Sequence, residues 1–262
     1  MGARRMEMIE LLLGSRGRAR RFGAMVQSAL LLAAHPEAVT IRVRVDDDDP
    51  ELPFYRRMAA GTEEFGYRKE SRIVLHIGPR IPVPQLTAQL AQACESDLMM
   101  LGCSDDILFR THGWDDKVRE VFSKYPDGLV VAATDDADGR PYRKCQHFFT
   151  TRRWLEVVGF EGWPELEHFG IDHWHERVAV KAGRMLYLDV VAEHMHMKHR
   201  YPDGKPKSEN DETYRAKRRK STDGSSTSDR DMARLTAGEK LMNEQAARVR
   251  LAIRRHPAVG EG

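Results

Sequence analysis

Two carboxylates, Asp105 and Asp106, stand side by side just past Leu98 to Leu101, a run that is apolar throughout and closes on Gly102. Such a run suits a central strand buried on both faces, and in an open α/β sheet ligands bind at the carboxyl ends of the strands. Adjacent like charges repel unless something positive stands beside them, and a divalent cation bridging to phosphate is the commonest solution. A solvated turn capping a helix is the competing reading. Three other groups of residues bear on the choice. Gly14, Ser15, Arg16, Gly17 and Arg18 form a loop rich in Gly and Arg, Asp46 to Asp49 are four consecutive acids, and His194 and His196, two apart, share one face if they lie on a strand.

These groups need elements to position them, and the chain supplies an alternation of strands and helices. Met8 to Leu13 reads as a first buried strand, with the Gly/Arg loop after it and a helix over Phe22 to Ala34 that stops at His35-Pro36. Val39 to Val45 alternates, is rich in β-branched residues and runs into the aspartates, as a second strand would. Pro53 to Gly66 is helical, Ile73 to Ile77 is a third strand followed by Arg80, and Pro84 to Ser96 is a helix with Pro at its start. Leu98 to Leu101 is the fourth strand, Trp114 to Tyr125 an amphipathic helix, and Leu129 to Thr134 a fifth strand ending in Asp135 and Asp136. From His147 the chain is dense in aromatics, histidines and acids, the expected far wall of a site. The pattern predicts a mainly parallel sheet flanked by helices. Three stretches follow from it: 1–200 as the α/β domain, 201–231 as a polar, basic flexible segment, and 232–262 as a C-terminal helix and tail, the helix itself reading from Arg230 to Arg255.

Composition narrows the class. With 262 residues and 41% hydrophobic content the chain can bury a sizeable core. It has no apolar run long enough to cross a membrane and no signal-peptide pattern, which leads us to expect a cytoplasmic protein. Three cysteines without CxxC spacing point to buried thiols rather than a disulfide framework or a zinc site. Net charge is +2, unevenly spread: residues 1–196 carry 26 Lys+Arg against 30 Asp+Glu, whereas 197–262 carry 16 against 10. The basic tail is a pointer to an anionic partner.

Acid at the carboxyl ends of the second and fourth strands, an arginine loop after the first, and a His/Asp cluster after the fifth together resemble the nucleotide-sugar glycosyltransferases of the GT-A fold, of the family 2 type. In that family an acidic DxD-type motif holds Mn²⁺ or Mg²⁺ on the donor diphosphate. Here the segment is Ser104-Asp105-Asp106, so the first Asp is replaced by Ser. The resemblance implies metal ligation by Asp106, a ribose or phosphate neighbour in Asp105, nucleotide contacts from Ser15, Arg16 and Arg18, a base- or ribose-binding acid at Asp46 or Asp47, and Arg80 against the same nucleotide. Arginine forks suit diphosphate oxygens, and a carboxylate suits imide N–H or ribose hydroxyls. One late histidine is a further metal or diphosphate ligand in the family, which implies His194, with His196 second; imidazole is compatible with Mn²⁺. Asp172 matches the family's general base, with Glu167 and Glu176 nearby, and Trp163 and Trp174 are candidates for stacking on a sugar or base.

The implied activity is a metal-dependent hexosyl- or pentosyltransferase acting from a nucleoside diphosphate sugar with inversion at the anomeric carbon. Viral members that glycosylate hydroxymethylated pyrimidines in DNA make DNA a candidate acceptor, gathered by the basic run Arg215, Lys217, Arg218, Arg219 and Lys220. Glycan or small-molecule acceptors are the alternative. A nucleotidyltransferase on a related sheet, and a non-catalytic nucleic-acid-binding protein, are the competing functions.

Overall fold

The computed structural model describes residues 6–61, 72–137, 145–159, 166, 170–196, 203, 205, 207 and 227–255. Its centre is β1 (Ile9–Ser15), buried along its length except at Gly14. Ile9, Leu11 and Leu13 face one core and Leu12 the other, so the strand reads as a continuous apolar run because both its faces are covered. Around it lie β2 (Val39–Asp46), β3 (Arg72–Gly78), β4 (Leu98–Met100), β5 (Ile107–Phe109), β6 (Val131–Asp135), β7 (Phe148–Thr151) and β8 (Met185–His194). The eight strands run in the order β3-β2-β1-β4-β7-β6-β8-β5.

Helices α1 (Ala19–Leu32), α2 (Leu52–Ala59) and α4 (Trp114–Ser123) pack on the face that carries Leu11, Val43 and Met100. Helices α3 (Val83–Ala93), α5 (Arg152–Val158), α6 (Ile171–Ala182), α7 (Thr227–Ala237) and α8 (Glu239–Arg255) cover the face with Leu12, Met99 and Val131. The sequence pattern places the first four strands, α1 and α3 within about three residues of these bounds; the helix expected over Pro53 to Gly66 is α2, ending at Ala59, and 62–66 lie outside the described residues. Four of the seven strand pairings are parallel, β3-β2, β2-β1, β1-β4 and β6-β8, and the other three are antiparallel.

Three features differ from the sequence pattern. Asp105 and Asp106 are followed not by a helix but by β5, which pairs antiparallel with the end of β8, so the helix-cap reading of the acids does not apply. A short antiparallel strand, β7, is inserted between β4 and β6. The last helix is two, broken at Gly238, where a Cβ would fall 2.6 Å from the Trp174 ring. That close approach docks the helical pair: the Trp174 indole donates to Gln245 Oε1 at 2.7 Å, and Gln245 donates to Val158 O at 2.9 Å. The cysteines are free, with Cys94 and Cys145 buried. Of the polar segment 201–231, the described residues are Asp203, Lys205, Lys207 and the start of α7.

Candidate active site

In the order β3-β2-β1-β4 the direction of chain progression reverses between β1 and β4, and at such a switch point the loops leaving two neighbouring strands part to form a crevice. The Gly/Arg loop leaves β1 there and the acid turn leaves β4. Asp105, 4% exposed, joins them: Ser15 Oγ donates to its Oδ2 at 2.7 Å and Arg18 Nη1 to its Oδ1 at 3.0 Å. Because the Ser15 proton is used on Asp105, the 2.6 Å contact between Ser15 and Tyr55 is a donation from the tyrosine, whose oxygen in turn accepts the Arg18 backbone N–H at 3.3 Å. Burial pushes the Asp105 carboxyl up; Arg18 opposes this, and the Asp106 charge adds to it.

The acids after β2 hold the same loop from the other side. Asp46 accepts from Arg16 Nη1 at 3.0 Å and faces Arg44 Nη1 at 3.6 Å. Asp48 takes both Arg16 guanidinium nitrogens and also feels Arg80. Asp49, buried, accepts the Gly17 N–H at 2.8 Å, and Glu51 accepts the Ala19 N–H at 2.7 Å, supplying the cap for α1 that Arg18 lacks. Asp47 and Arg80 are exposed at the rim. The sequence pattern marks the run Asp46 to Asp49 and prefers Asp46 or Asp47; of the run Asp46, Asp48 and Asp49 hold the loop, and Glu51 and Tyr55 are not marked. In β2 the alternation that buries Ile41, Val43 and Val45 in one core puts Arg42, Arg44 and Asp46 on the opposite face, and that parity is the signal distinguishing Asp46 from its neighbours.

Asp106 points the other way. Its Oδ1 accepts from the Ser104 hydroxyl and lies 3.5 Å from His194 Nε2. Burial works against ionisation, but the His194 imidazole, the Ser104 hydroxyl and the Arg18 charge outweigh it and hold the Asp106 carboxyl well below the usual range. Backbone bonds fix the approach: Met195 N donates to Asp106 O at 2.7 Å and His194 N to Asp136 O at 2.9 Å, so the ends of β4, β6 and β8 converge. His194 Nδ1 meets Gln146 Oε1 at 2.9 Å. The His147 ring stands edge-on to His194 with centroids 4.8 Å apart, and its Nδ1 donates to Gly102 O at 2.7 Å. Gly102 is required here, because a Cβ would lie 2.9 Å from Gln146 O and from the Phe148 ring. His196 lies beyond the end of β8, its ring 5.2 Å from that of His194. Gln146 and His147 carried no motif, and neither did Lys207, whose Nζ reaches Glu193 at 2.6 Å and Ala137 O at 3.0 Å beside the same strand end.

Asp172 occupies the first turn of α6, after Gly170. Burial raises its carboxyl, while His173 opposes and Glu176 adds to the shift. The same two carboxylates, Asp172 and Glu176, reach the buried thiol of Cys145. Cys145 directly precedes Gln146, so the short segment 145–147 spans from the Asp172 group to His194. Trp174 does not face this space but the α8 docking contacts described above. Trp163, Glu167 and the basic run at 215–220 lie outside the described residues.

Among the described residues no group of three His, Cys, Asp or Glu side chains is set to hold a metal ion by itself. Asp106 and His194 provide two donors, an ionised oxygen and an imidazole nitrogen. That mixed set fits Mn²⁺ with further oxygens drawn from a bound diphosphate and water.

The fold these elements define is that of the GT-A glycosyltransferases. Solved structures similar to it include the mannosyltransferase PcManGT from Pyrobaculum calidifontis in complex with GDP-Man and Mn²⁺, at TM-score 0.55 and 12% identity over 98% of this chain and 76% of that one. Glucosyl-3-phosphoglycerate synthase from Mycobacterium tuberculosis in complex with UDP aligns at TM-score 0.53 and 10% identity, over 88% of this chain and 79% of that one. TarS of S. aureus in complex with UDP aligns at TM-score 0.51 and 9% identity over 71% of this chain and 59% of that one. No family model and no curated protein matches the sequence. No helix among the described residues is long and apolar enough to cross a membrane.

Proposed function

We propose that this protein is a glycosyltransferase that moves a sugar from a nucleoside diphosphate sugar to an acceptor hydroxyl with inversion. The observation that carries the reading is the pairing of a partly buried Asp106 with His194 beside the ends of β6 and β8, in a fold whose neighbours are solved with Mn²⁺, GDP-Man or UDP. In this reading Asp106 and His194 hold the metal, which when bound neutralises charge on the departing diphosphate. Ser15, Arg16 and Arg18 shape the wall along which the donor lies, with Asp46, Asp47 and Arg80 toward its nucleoside and Asp105 locking the wall to the acid turn. Asp172 takes the proton from the acceptor hydroxyl as that oxygen bonds to the anomeric carbon and the bond to the diphosphate breaks; burial raises its affinity for a proton, the direction that favours a general base.

For the acceptor we propose hydroxymethylated pyrimidine in DNA. The support is the basic run 215–220, a polyanion-gathering composition in an otherwise slightly acidic chain. The test for the activity is a panel of nucleotide sugars with Mn²⁺, read as released nucleoside diphosphate; no turnover and no nucleotide binding across the panel would overturn it. The acceptor is tested separately, by offering hydroxymethylcytosine DNA, unmodified DNA and a saccharide side by side. Transfer to the saccharide alone would dispose of DNA and leave the enzyme class standing.

A further inference from the structure

Gln146 Oε1 lies 2.9 Å from His194 Nδ1. A carboxamide oxygen only accepts, so Nδ1 carries the proton, and a neutral ring then has its lone pair on Nε2. Nε2 is the nitrogen that faces Asp106 Oδ1 at 3.5 Å. With Nδ1 engaged by Gln146, Nε2 and the Asp106 oxygen stand side by side, an imidazole nitrogen and a carboxylate oxygen that a neutral ring would offer together to one cation. We propose that Gln146 is a positioning residue: it sets the His194 tautomer so that Nε2, and not Nδ1, is turned with Asp106 toward a shared divalent cation. The inference rests on the metal-site reading above and adds to it the residue that makes His194 competent as a ligand.

The surroundings show that this orientation is built. The Gln146 backbone is pressed against the exit of β4, where Gly102 leaves no room for a side chain. His147, the next residue, is anchored to Gly102 O and stands edge-on to His194 at 84°. His196 flanks the ring from another side. With neighbours on these sides and its strand end fixed to Asp136, the His194 ring cannot flip without breaking the Gln146 bond. An outer partner that fixes tautomer and ring direction is a general feature of histidine ligands, and here the 145–147 segment provides it.

The test uses the full chain with two substitutions. Gln146→Leu removes the acceptor at similar bulk, and Gln146→Glu keeps one. Three quantities are read: the protonated nitrogen of His194 in metal-free protein, from long-range proton–nitrogen NMR of histidine-labelled samples; Mn²⁺ binding in the presence of UDP or GDP, from the paramagnetic resonance of free Mn²⁺; and binding of the same nucleotide without metal. Wild type and Gln146→Glu should show the proton on Nδ1, and Gln146→Leu a shift toward Nε2. Mn²⁺ affinity should fall about 10- to 100-fold in Gln146→Leu and stay near wild type in Gln146→Glu, with metal-free nucleotide binding unchanged in both. Unaltered Mn²⁺ affinity or tautomer in Gln146→Leu, or equal impairment in the two variants, overturns the role of Gln146 and leaves the metal site standing. Wild-type protein that takes up no Mn²⁺ with either nucleotide overturns both.

Discussion

On the β1–β2 side of the crevice opposite charges face each other: Arg16 against Asp46 and Asp48, Arg18 against Asp105, Asp49 and Glu51 against the backbone N–H groups of the loop. On the β6–β8 side carboxylates stand with imidazoles: Asp106 with His194, and Asp172 and Glu176 with His173. The acid turn is divided between the two, Asp105 serving the first and Asp106 the second. One side is held by charge pairs between guanidinium and carboxylate groups of the chain. The other brings carboxylates and imidazoles together, the residue types common where binding and proton transfer take place.

Removing the Asp106 charge should produce the largest effect. Asp106→Asn keeps the side-chain shape and should abolish Mn²⁺-dependent nucleotide binding while the fold persists, as read by calorimetry with and without metal. Full Mn²⁺-dependent binding in that variant would contradict the division drawn here. Asp172→Asn should bind donor normally and lose about two to four decades of turnover, the usual worth of a general base. A product with retained anomeric configuration would rule out the direct displacement even if the residue proved essential.

The charge-paired side should respond in stability instead. Arg18→Ala leaves Asp105 buried with Ser15 as its remaining side-chain donor, a loss of about 3 kcal/mol, the low end for breaking a buried pair. Urea unfolding would measure it. Lys124→Ala, which removes an exposed helix pair with Glu120, should cost far less. Equal midpoints for the two variants would show that the Arg18–Asp105 contact does not hold the loop.

How far these regions could be read from sequence follows the same division. Parallel strands buried on both faces announce themselves as apolar runs, so β1, β2, β3 and β4 and the charges at their ends were legible. The second half turns on short antiparallel pieces. Ile107–Phe109 and Phe148–Thr151 are three and four residues long, too short to show a period, and β8 changes partner from β6 to β5 along its length. Four consecutive aspartates look alike in sequence, yet each has a different environment because successive side chains leave a strand in opposite directions and the turn then curls back. Gln146 has no charge, no motif and no periodic position; only the fold brings it to His194.

The smallest expected effect sharpens the comparison by asking how each half responds to acid. His175, on α6 one turn from Asp172, is wholly buried and accepts the Trp154 indole N–H on Nδ1 at 2.9 Å. Burial lowers its pKa from 6.5 to about 3. The folded ring therefore stays neutral while an unfolded one begins to take up a proton below pH 6.5. Stability is then fully present above that value and falls as the pH drops toward 3, where the folded ring is protonated as well. Between pH 7.5 and pH 5 the loss from this residue should be about 2 kcal/mol, since each unit below the unfolded value costs about 1.4 kcal/mol. Replacing His175 with Gln, which retains an acceptor but does not titrate, should lower stability at pH 7.5 and flatten its decline to pH 5. Hydrogen exchange at pH 5 should show α5 and α6, the Trp154–His175 pair, loosening before the loop at Arg16, which holds the Asp48 carboxyl below its usual range. An undiminished pH dependence in His175→Gln, or first loosening at the β1–β2 loop, would place the acid-sensitive element on the charged side of the crevice instead.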